Sequence, residues 1–248
     1  MVGASGSYPG PESPASCYLL EAEHEGGVFR LILDMGSGAL GALHRFIDPV
    51  TVNAVLLSHL HADHCLDLCG FYVLRKYHPT GAQPMIPVWG PVDTARRMAK
   101  AYDLDEDPGM NEEFDFTLFP DETFTVGPFE VTARPVAHPV PAYGLRIRAD
   151  GRTLAYSGDT GTCAALVETA RDADFFLCEA SFVEGADNPP DLHLTGAEAG
   201  TMATEAGARR LVLTHVPPWH EAAVMLAEAH QTYEGPIELA EPGKAYEI

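Results

Sequence analysis

Basic residues are scarce in this chain. Fifteen lysines and arginines stand against 36 aspartates and glutamates, a formal net charge of −21 over 248 residues, and a field of that sign repels polyanions instead of gathering them. Large nucleic acids are therefore poor candidate partners. Also missing is an apolar run long enough to span a bilayer, and the stretch "MVGASGSYPGPESPAS" has neither the charged nor the apolar region of a secretory signal. A cytoplasmic location without membrane contact is the expectation. The five cysteines (Cys17, Cys65, Cys69, Cys163, Cys178) are odd in number and form no C-x-x-C pair, which argues against a disulfide framework and against a thiolate zinc site. They read as small buried residues. The densest acidic segment, "DLDEDPGMNEEFD" from Asp103 to Asp115, lacks the spacing of an EF-hand calcium loop and reads as an exposed loop. With no internal repeat, no Gly-, Ser- or Pro-rich linker and 46% hydrophobic residues, the chain is expected to form one domain over residues 1–248.

What is present is an alternation of short apolar, β-branched runs with helical patterns. Strands are predicted at "VFRLILD", "AVLLS", "IPVWG", "FEVTARPV", "YGLRIRA", "TLAYSGD", "DFFLCE" and "RLVLTH". Helices are predicted at "GALGALHRFI", Cys65 to Tyr77, "VDTARRMAKAY", "TCAALVETARD", "TGAEAGTMATEAG" and "HEAAVMLAEAH". Leu66, Cys69, Val73 and Tyr77 recur at three- and four-residue steps and give the second of these one apolar face. The alternation predicts a layered α/β domain, with chemistry at the strand ends, where loops can converge side chains without disturbing the core.

The eleven histidines are unevenly spread. "LLSHLHADHCLDLCG" places His59, His61, Asp63 and His64 within six positions, just where the strand "AVLLS" ends. Alternate residues of an extended segment point the same way, so His59 and His61 can grip one cation, while Asp63 and His64, at the turn into a helix, face a second direction. His138, Asp159 and His215 each follow a predicted strand. Any one of them alone would read as a capping or core residue, but jointly they supply the remaining ligands of a dinuclear site. The assignment is His59, His61 and His138 on one ion, Asp63, His64 and His215 on the other, and Asp159 bridging both. Imidazole with carboxylate suits zinc, manganese or iron, with zinc first.

"SHLHADH", His138, "YSGDT" and "LTH", in this order and with "LDMGSG" around Asp34, resemble the motifs of the metallo-β-lactamase superfamily. The resemblance implies an α/β fold, the αβ/βα four-layer sandwich, with two divalent metals at one sheet edge and Asp34 orienting the metal loop from behind. An aspartate at position 159 and the lack of cysteine ligands place the chain with the phosphodiesterase-type members. "CEASF" with Glu179 and "DLHLTGAEAG" with His193 resemble the ribonuclease Z-like branch, in which a glutamate holds a histidine near the phosphate. Thr195 and Glu198 form a capping box, so the helix starts there with its amides directed toward His193. Only Met1 and Val2 precede the "GASGS" loop, where the family has its first strand, so either a trimmed N-terminus or a weakened edge strand is expected.

The long arm with which ribonuclease Z grips transfer RNA has no room here. Between His138 and Asp159 only a strand, an Asp-Gly turn and a second strand fit. Within the branch, "SGSYPGPESPASCYLLEA", "LSHLHADHCLDLCGFYV", "YHPTG", "CEASF" and "PPDLHLTGAEAG" are most similar to actinobacterial proteins described as atypical class II cyclic-nucleotide phosphodiesterases. That likeness implies hydrolysis of 3′,5′-cyclic AMP to 5′-AMP, with Asp63 orienting or deprotonating the attacking water and His193, held by Glu179, stabilising charge or protonating the leaving oxygen. The expected partners are a small anionic phosphodiester and a second copy of the chain in a homodimer. A transfer RNA 3′-endonuclease, a hydrolase of another small ester and a non-enzymatic metal sensor are the alternatives.

Overall fold

The computed structural model describes all 248 residues, and its strands follow the apolar runs closely. Tyr18–His24 (β1) and Gly27–Leu33 (β2) form an antiparallel hairpin. Then come Ala39–Leu43 (α1), Ala54–Leu56 (β3), Ala62–Cys65 (α2), Leu68–Lys76 (α3), Ile86–Gly90 (β4), Thr94–Ala101 (α4) and Phe114–Leu118 (β5). These strands make one sheet in the order β1-β2-β3-β4-β5, parallel from β2 onward. The rest of the chain adds Phe124–Val126 (β6), Phe129–Pro135 (β7), Tyr143–Ala149 (β8), Arg152–Tyr156 (β9), Ala164–Ala170 (α5), Phe175–Glu179 (β10), Gly196–Ala206 (α6), Leu211–Thr214 (β11), Ala222–Ala229 (α7) and Ile237–Leu239 (β12). They form a second sheet, β12-β11-β10-β9-β8-β7-β6, parallel from β9 to β12 and antiparallel elsewhere.

Strand alternation explains the layering. Leu31 and Leu33 of β2, Leu56 of β3, Phe175 and Leu177 of β10 and Val212 of β11 meet in the core between the two sheets. Their neighbours Ile32, Val55 and Val88 face outward onto Leu68, Phe71 and Met98 of α3 and α4, while Phe176, Cys178 and Leu213 face Leu166, Met202 and Met225 of α5, α6 and α7. Strands apolar on both faces must be covered on both faces. The result is the four-layer α/β sandwich.

Four strands escape the pattern of sequence. β1, β5, β6 and β12 sit in edge or hairpin positions with one half-exposed face, and their polar residues (Glu21 and Glu23, Asp115, Thr125, Glu238) break the apolar run. The helix expected from Cys65 to Tyr77 is split, because Asp67 leaves the helical ladder to bind elsewhere: its N–H donates to the Met35 carbonyl (3.0 Å) and its Oδ2 accepts from Leu40 N–H (2.8 Å). Before β1 no regular strand forms. Gly3 pairs with Cys17 only as an isolated bridge. Asp150 and Gly151, both at positive φ, close the β8–β9 hairpin in two residues. No helix is long and apolar enough to cross a membrane.

Candidate metal centre

The carboxyl ends of the parallel pair β2 and β3 in one sheet and of β9, β10 and β11 in the other bring Asp34, His59, Asp159, Glu179 and His215 to one place. The loop holding Asp34 closes tightly on the histidine loop: Met35 N–H donates to the His64 carbonyl (2.7 Å). Gly36 makes this approach possible, since a Cβ there would lie 1.8 Å from the Asp63 carbonyl oxygen.

Three donor groups result, of which the third, Glu179, His193 and His215, adjoins the two that share Asp159. His59, His61, His138 and Asp159 form the first, and Asp63, His64, Asp159 and His215 the second; within each, the ligand atoms lie within 4.8 Å of one another. His59 Nε2 and His61 Nδ1 are 3.1 Å apart, His138 Nε2 and His61 Nδ1 3.2 Å, and His64 Nε2 and His215 Nε2 3.0 Å. Asp159 spans both groups, with Oδ2 3.6 Å from His59 Nε2 and Oδ1 3.1 Å from His64 Nε2.

Hydrogen bonds behind the rings fix the tautomers. His64 Nδ1 lies 2.8 Å from Asp34 Oδ2 and His138 Nδ1 2.9 Å from the Leu192 carbonyl, acceptors that require N–H at both. Ser58 donates to Asp34 (2.7 Å), so its oxygen accepts from His59 Nδ1 (3.1 Å). Ser181 donates to the His215 carbonyl (2.8 Å), so it accepts from His215 Nδ1 (2.8 Å). In their neutral forms His59, His64, His138 and His215 therefore all present bare Nε2 lone pairs to the centre. Bare nitrogens about 3 Å apart repel unless a cation lies among them. The buried Asp159 Oδ1, moreover, has no hydrogen-bond partner. A donor set of five imidazoles and two carboxylates, several with outer hydrogen-bond partners, fits divalent metal ions.

Electrostatics agree with that reading. Burial pushes His59, His61 and His138 below the ordinary imidazole range, toward the neutral form a ligand needs. Burial also opposes charge on Asp159, yet the surrounding His215, His64 and His59 hold it ionised. At Asp63 burial again opposes charge, and the neighbouring His215 and His64 rings outweigh it and hold the carboxylate ionised in the metal-free protein. His64 goes the other way: against burial, Asp159 and Asp34 raise it well above the usual range, so without metal a proton sits where a cation would.

Asp34 organises this from behind. Fully buried at φ 55°, it accepts from Ser58 N–H (2.6 Å), Ser58 Oγ (2.7 Å), Tyr156 OH (2.6 Å) and His64 Nδ1. Ser58, Tyr156 and Ser181 carry no signature of their own in sequence. They lie inside "SHLHADH", "YSGDT" and "CEASF", but nothing in those motifs states what each side chain binds.

Next to the metal donors, His193 Nδ1 lies 3.0 Å from Glu179 Oε1 and 3.9 Å from Asp159 Oδ2. Burial would lower its pKa, but the Glu179 and Asp159 carboxylates push it up to about 9. Glu179 is fully buried and also accepts from Thr160 N–H (2.7 Å) and Leu194 N–H (3.3 Å). The capping box of Thr195 and Glu198 is formed at the start of α6. Two of the leading helix amides are already engaged: Gly196 N–H donates to Glu228 Oε2 (3.1 Å) and Glu198 N–H to Thr195 Oγ1 (3.1 Å). Of the remaining histidines, His78 binds Thr80 in an exposed turn and His220 stacks near Trp219.

Paired sheets between helices, with histidines and aspartates gathered at the strand ends, define a metal-dependent hydrolase. The comparisons name its family. Residues 30–216 match the model described as the Beta-lactamase superfamily domain, and the chain belongs to that superfamily. It is 46% identical over its full length to Uncharacterized protein Rv1339 of Mycobacterium tuberculosis, 91% of which is covered. It is 30% identical to a ribonuclease Z of Myxococcus xanthus, the match covering 88% of each chain. The metallo-β-lactamase fold protein YhfI of Bacillus subtilis superposes with a TM-score of 0.87 at 27% identity, covering 99% of this chain and 97% of that one. These relatives place it in the ribonuclease Z-like metallo-hydrolase branch.

Proposed function

We propose that the protein is a dinuclear phosphodiesterase that hydrolyses small cyclic nucleotides, 3′,5′-cyclic AMP foremost, to 5′-nucleotides. The observation that carries this reading is the Glu179–His193 pair beside a carboxylate shared by two donor groups. A relative named ribonuclease Z sets phosphodiester cleavage within the same family. Two further features favour a small substrate over RNA: the two-residue turn at Asp150 and Gly151, where the ribonuclease Z arm would need to emerge, and the net charge of −21.

His59, His61 and His138 would hold one ion and Asp63, His64 and His215 the other, with Asp159 between them. When bound, two divalent ions, zinc by the donor set, supply Lewis acidity that makes hydroxide available near neutral pH and offsets phosphoryl charge. The chain's own groups do the rest. Asp63 is held ionised, with Oδ2 3.1 Å from His215 Nε2 in the group that would hold the second ion; its other oxygen would orient the attacking water and accept its proton. His193, protonated and fixed through Nδ1 by Glu179, turns Nε2 toward the leaving group. As the new O–P bond forms and the P–O3′ bond breaks, His193 donates the proton the departing 3′ oxygen requires. Ser181 and Leu192 hold the rings of His215 and His138 still meanwhile.

The deciding experiment offers purified, metal-loaded protein 3′,5′-cyclic AMP, precursor transfer RNA and bis(p-nitrophenyl) phosphate side by side. We expect 5′-AMP from the first, turnover of the generic diester and little cleavage of the RNA, even at low ionic strength, where RNA binding is strongest. Efficient RNA cleavage with cyclic AMP untouched would reassign the protein as an endonuclease.

A further inference from the structure

The segment "SGSYPG" presents an aromatic residue that the metal centre does not use. Tyr8 is 43% exposed and Trp219 59% exposed, and the two rings stack on each other with centroids 5.3 Å apart and planes 33° from parallel. Both hang from loops fastened to the site. Gly6 N–H donates to the Val216 carbonyl (3.1 Å), and Gly6 lies so close to His215 that a Cβ there would sit 2.2 Å from its carbonyl oxygen and 3.1 Å from its Nδ1. Tyr8 follows after a tight turn, its N–H donating to the Gly6 carbonyl (2.7 Å) with Ser7 at φ 63°. Trp219 stands four residues beyond His215, after Pro217 and Pro218, in a turn closed by His220 N–H on the Pro217 carbonyl (2.9 Å).

Proline-stiffened loops thus hold two exposed aromatic rings at a fixed place relative to the ring of His215, a candidate metal ligand. Folding gains little from rings left in water, whereas a planar ligand gains from two rigid π-faces. The charge of the protein sharpens the point. A net charge of −21 repels an anionic substrate, so binding away from the metals must come from its uncharged part. In a cyclic nucleotide that part is the base.

We propose that Tyr8 and Trp219 form the platform on which the nucleobase of the substrate stacks while its phosphate occupies the neighbouring centre, so that this pair selects nucleotides over base-less phosphodiesters. The proposal rests on the phosphodiesterase reading above. It is tested on the metal-loaded protein and its Tyr8→Ala, Trp219→Ala and Trp219→Phe variants, with cyclic AMP and methyl ribofuranoside 3′,5′-cyclic phosphate as substrates. Stacking of a base on an aromatic ring is worth about 5- to 150-fold in binding. Each alanine variant should raise KM for cyclic AMP within that range, with kcat held and the base-less ester unaffected, and Trp219→Phe should recover most of the loss. Equal losses on both esters, or none on either, overturn the platform and leave the phosphodiesterase reading standing. If the unaltered protein hydrolyses neither ester, that reading fails by itself and binding decides the platform. Then 5′-AMP, but not ribose 5-phosphate, should quench the fluorescence of Trp219, the more exposed of the two tryptophans, with the signal absent from Trp219→Phe. No difference between the two ligands overturns it.

Discussion

Replacing Asp34 with asparagine changes one atom of a side chain that no substrate meets, and it should cripple metal binding. The amide oxygen can keep the bond from Ser58 N–H, now 2.6 Å from Oδ1. The new NH2 then stands where Oδ2 accepts from Ser58 Oγ, Tyr156 OH and His64 Nδ1 at 2.7, 2.6 and 2.8 Å. Either hydroxyl can rotate and accept. His64 can accept only by moving its proton from Nδ1 to Nε2, the nitrogen that faces His215 at 3.0 Å and would bind the ion. A tautomer set wrongly by its outer partner is a severe fault in other imidazole sites, and loss of such a partner typically lowers metal affinity 10- to 100-fold, about 1.4–2.8 kcal/mol. The ion held by Asp63, His64 and His215 should suffer most. That held by His59 should weaken less, because Asp34 reaches His59 only through Ser58. Titration of metal-free protein against a competing chelator reads both affinities, and nitrogen-15 NMR of the imidazoles reads the tautomer. Tyr156→Phe is the control, since it removes one donor to Asp34 and spares the carboxylate. Wild-type affinity at both sites in a folded Asp34→Asn protein would refute the reasoning.

Two more expectations follow from the centre. Protein purified without chelator should carry close to two ions per chain, and His59→Ala should lose part of that load in elemental analysis; full activity with a single ion would exclude the dinuclear mechanism. His193→Ala should keep its metals, since Glu179 and not an ion fixes that ring, yet lose roughly 10²–10⁴ in kcat, the contribution of a positioned general acid. Unchanged turnover would reduce His193 to a loop residue.

The layers and the H-x-H-x-D-H cluster follow from short-range pattern, whereas His138, Asp159 and His215 were read only from their places after predicted strands. Runs such as "RLILD" and "DFFLCE" must be covered on both faces, and H-x-H-x-D-H places its donors by local geometry alone. β1, β5, β6 and β12 were not legible, because an edge strand with one wet face mixes Glu, Asp and Thr into its apolar positions and looks like a loop. Asp67 shows a second kind of limit. Its bonds to Met35 and Leu40 split a helix whose apolar periodicity runs on unbroken, so a tertiary contact overrides a local preference. Glu228 shows a third. By taking Gly196 N–H from a distance of 32 residues it occupies the first amide of α6, which sequence alone leaves open to an anion.

The partners that fix the histidines are the least legible of all, and they decide whether the donors can act together. Tyr156, Ser181 and the Leu192 carbonyl lie 122 residues from Asp34, 34 from His215 and 54 from His138 respectively, and none belongs to a residue type that announces such a role. Yet Ser181 and Leu192 settle which ring nitrogen keeps its proton, and Tyr156 holds the carboxylate that does so for His64. The metal motif therefore states which side chains can bind, while the fold states in which tautomer they do so. Asp34 joins the two levels, since a single buried carboxylate fixes His64 directly and His59 through Ser58. A substitution there tests both donor groups at once.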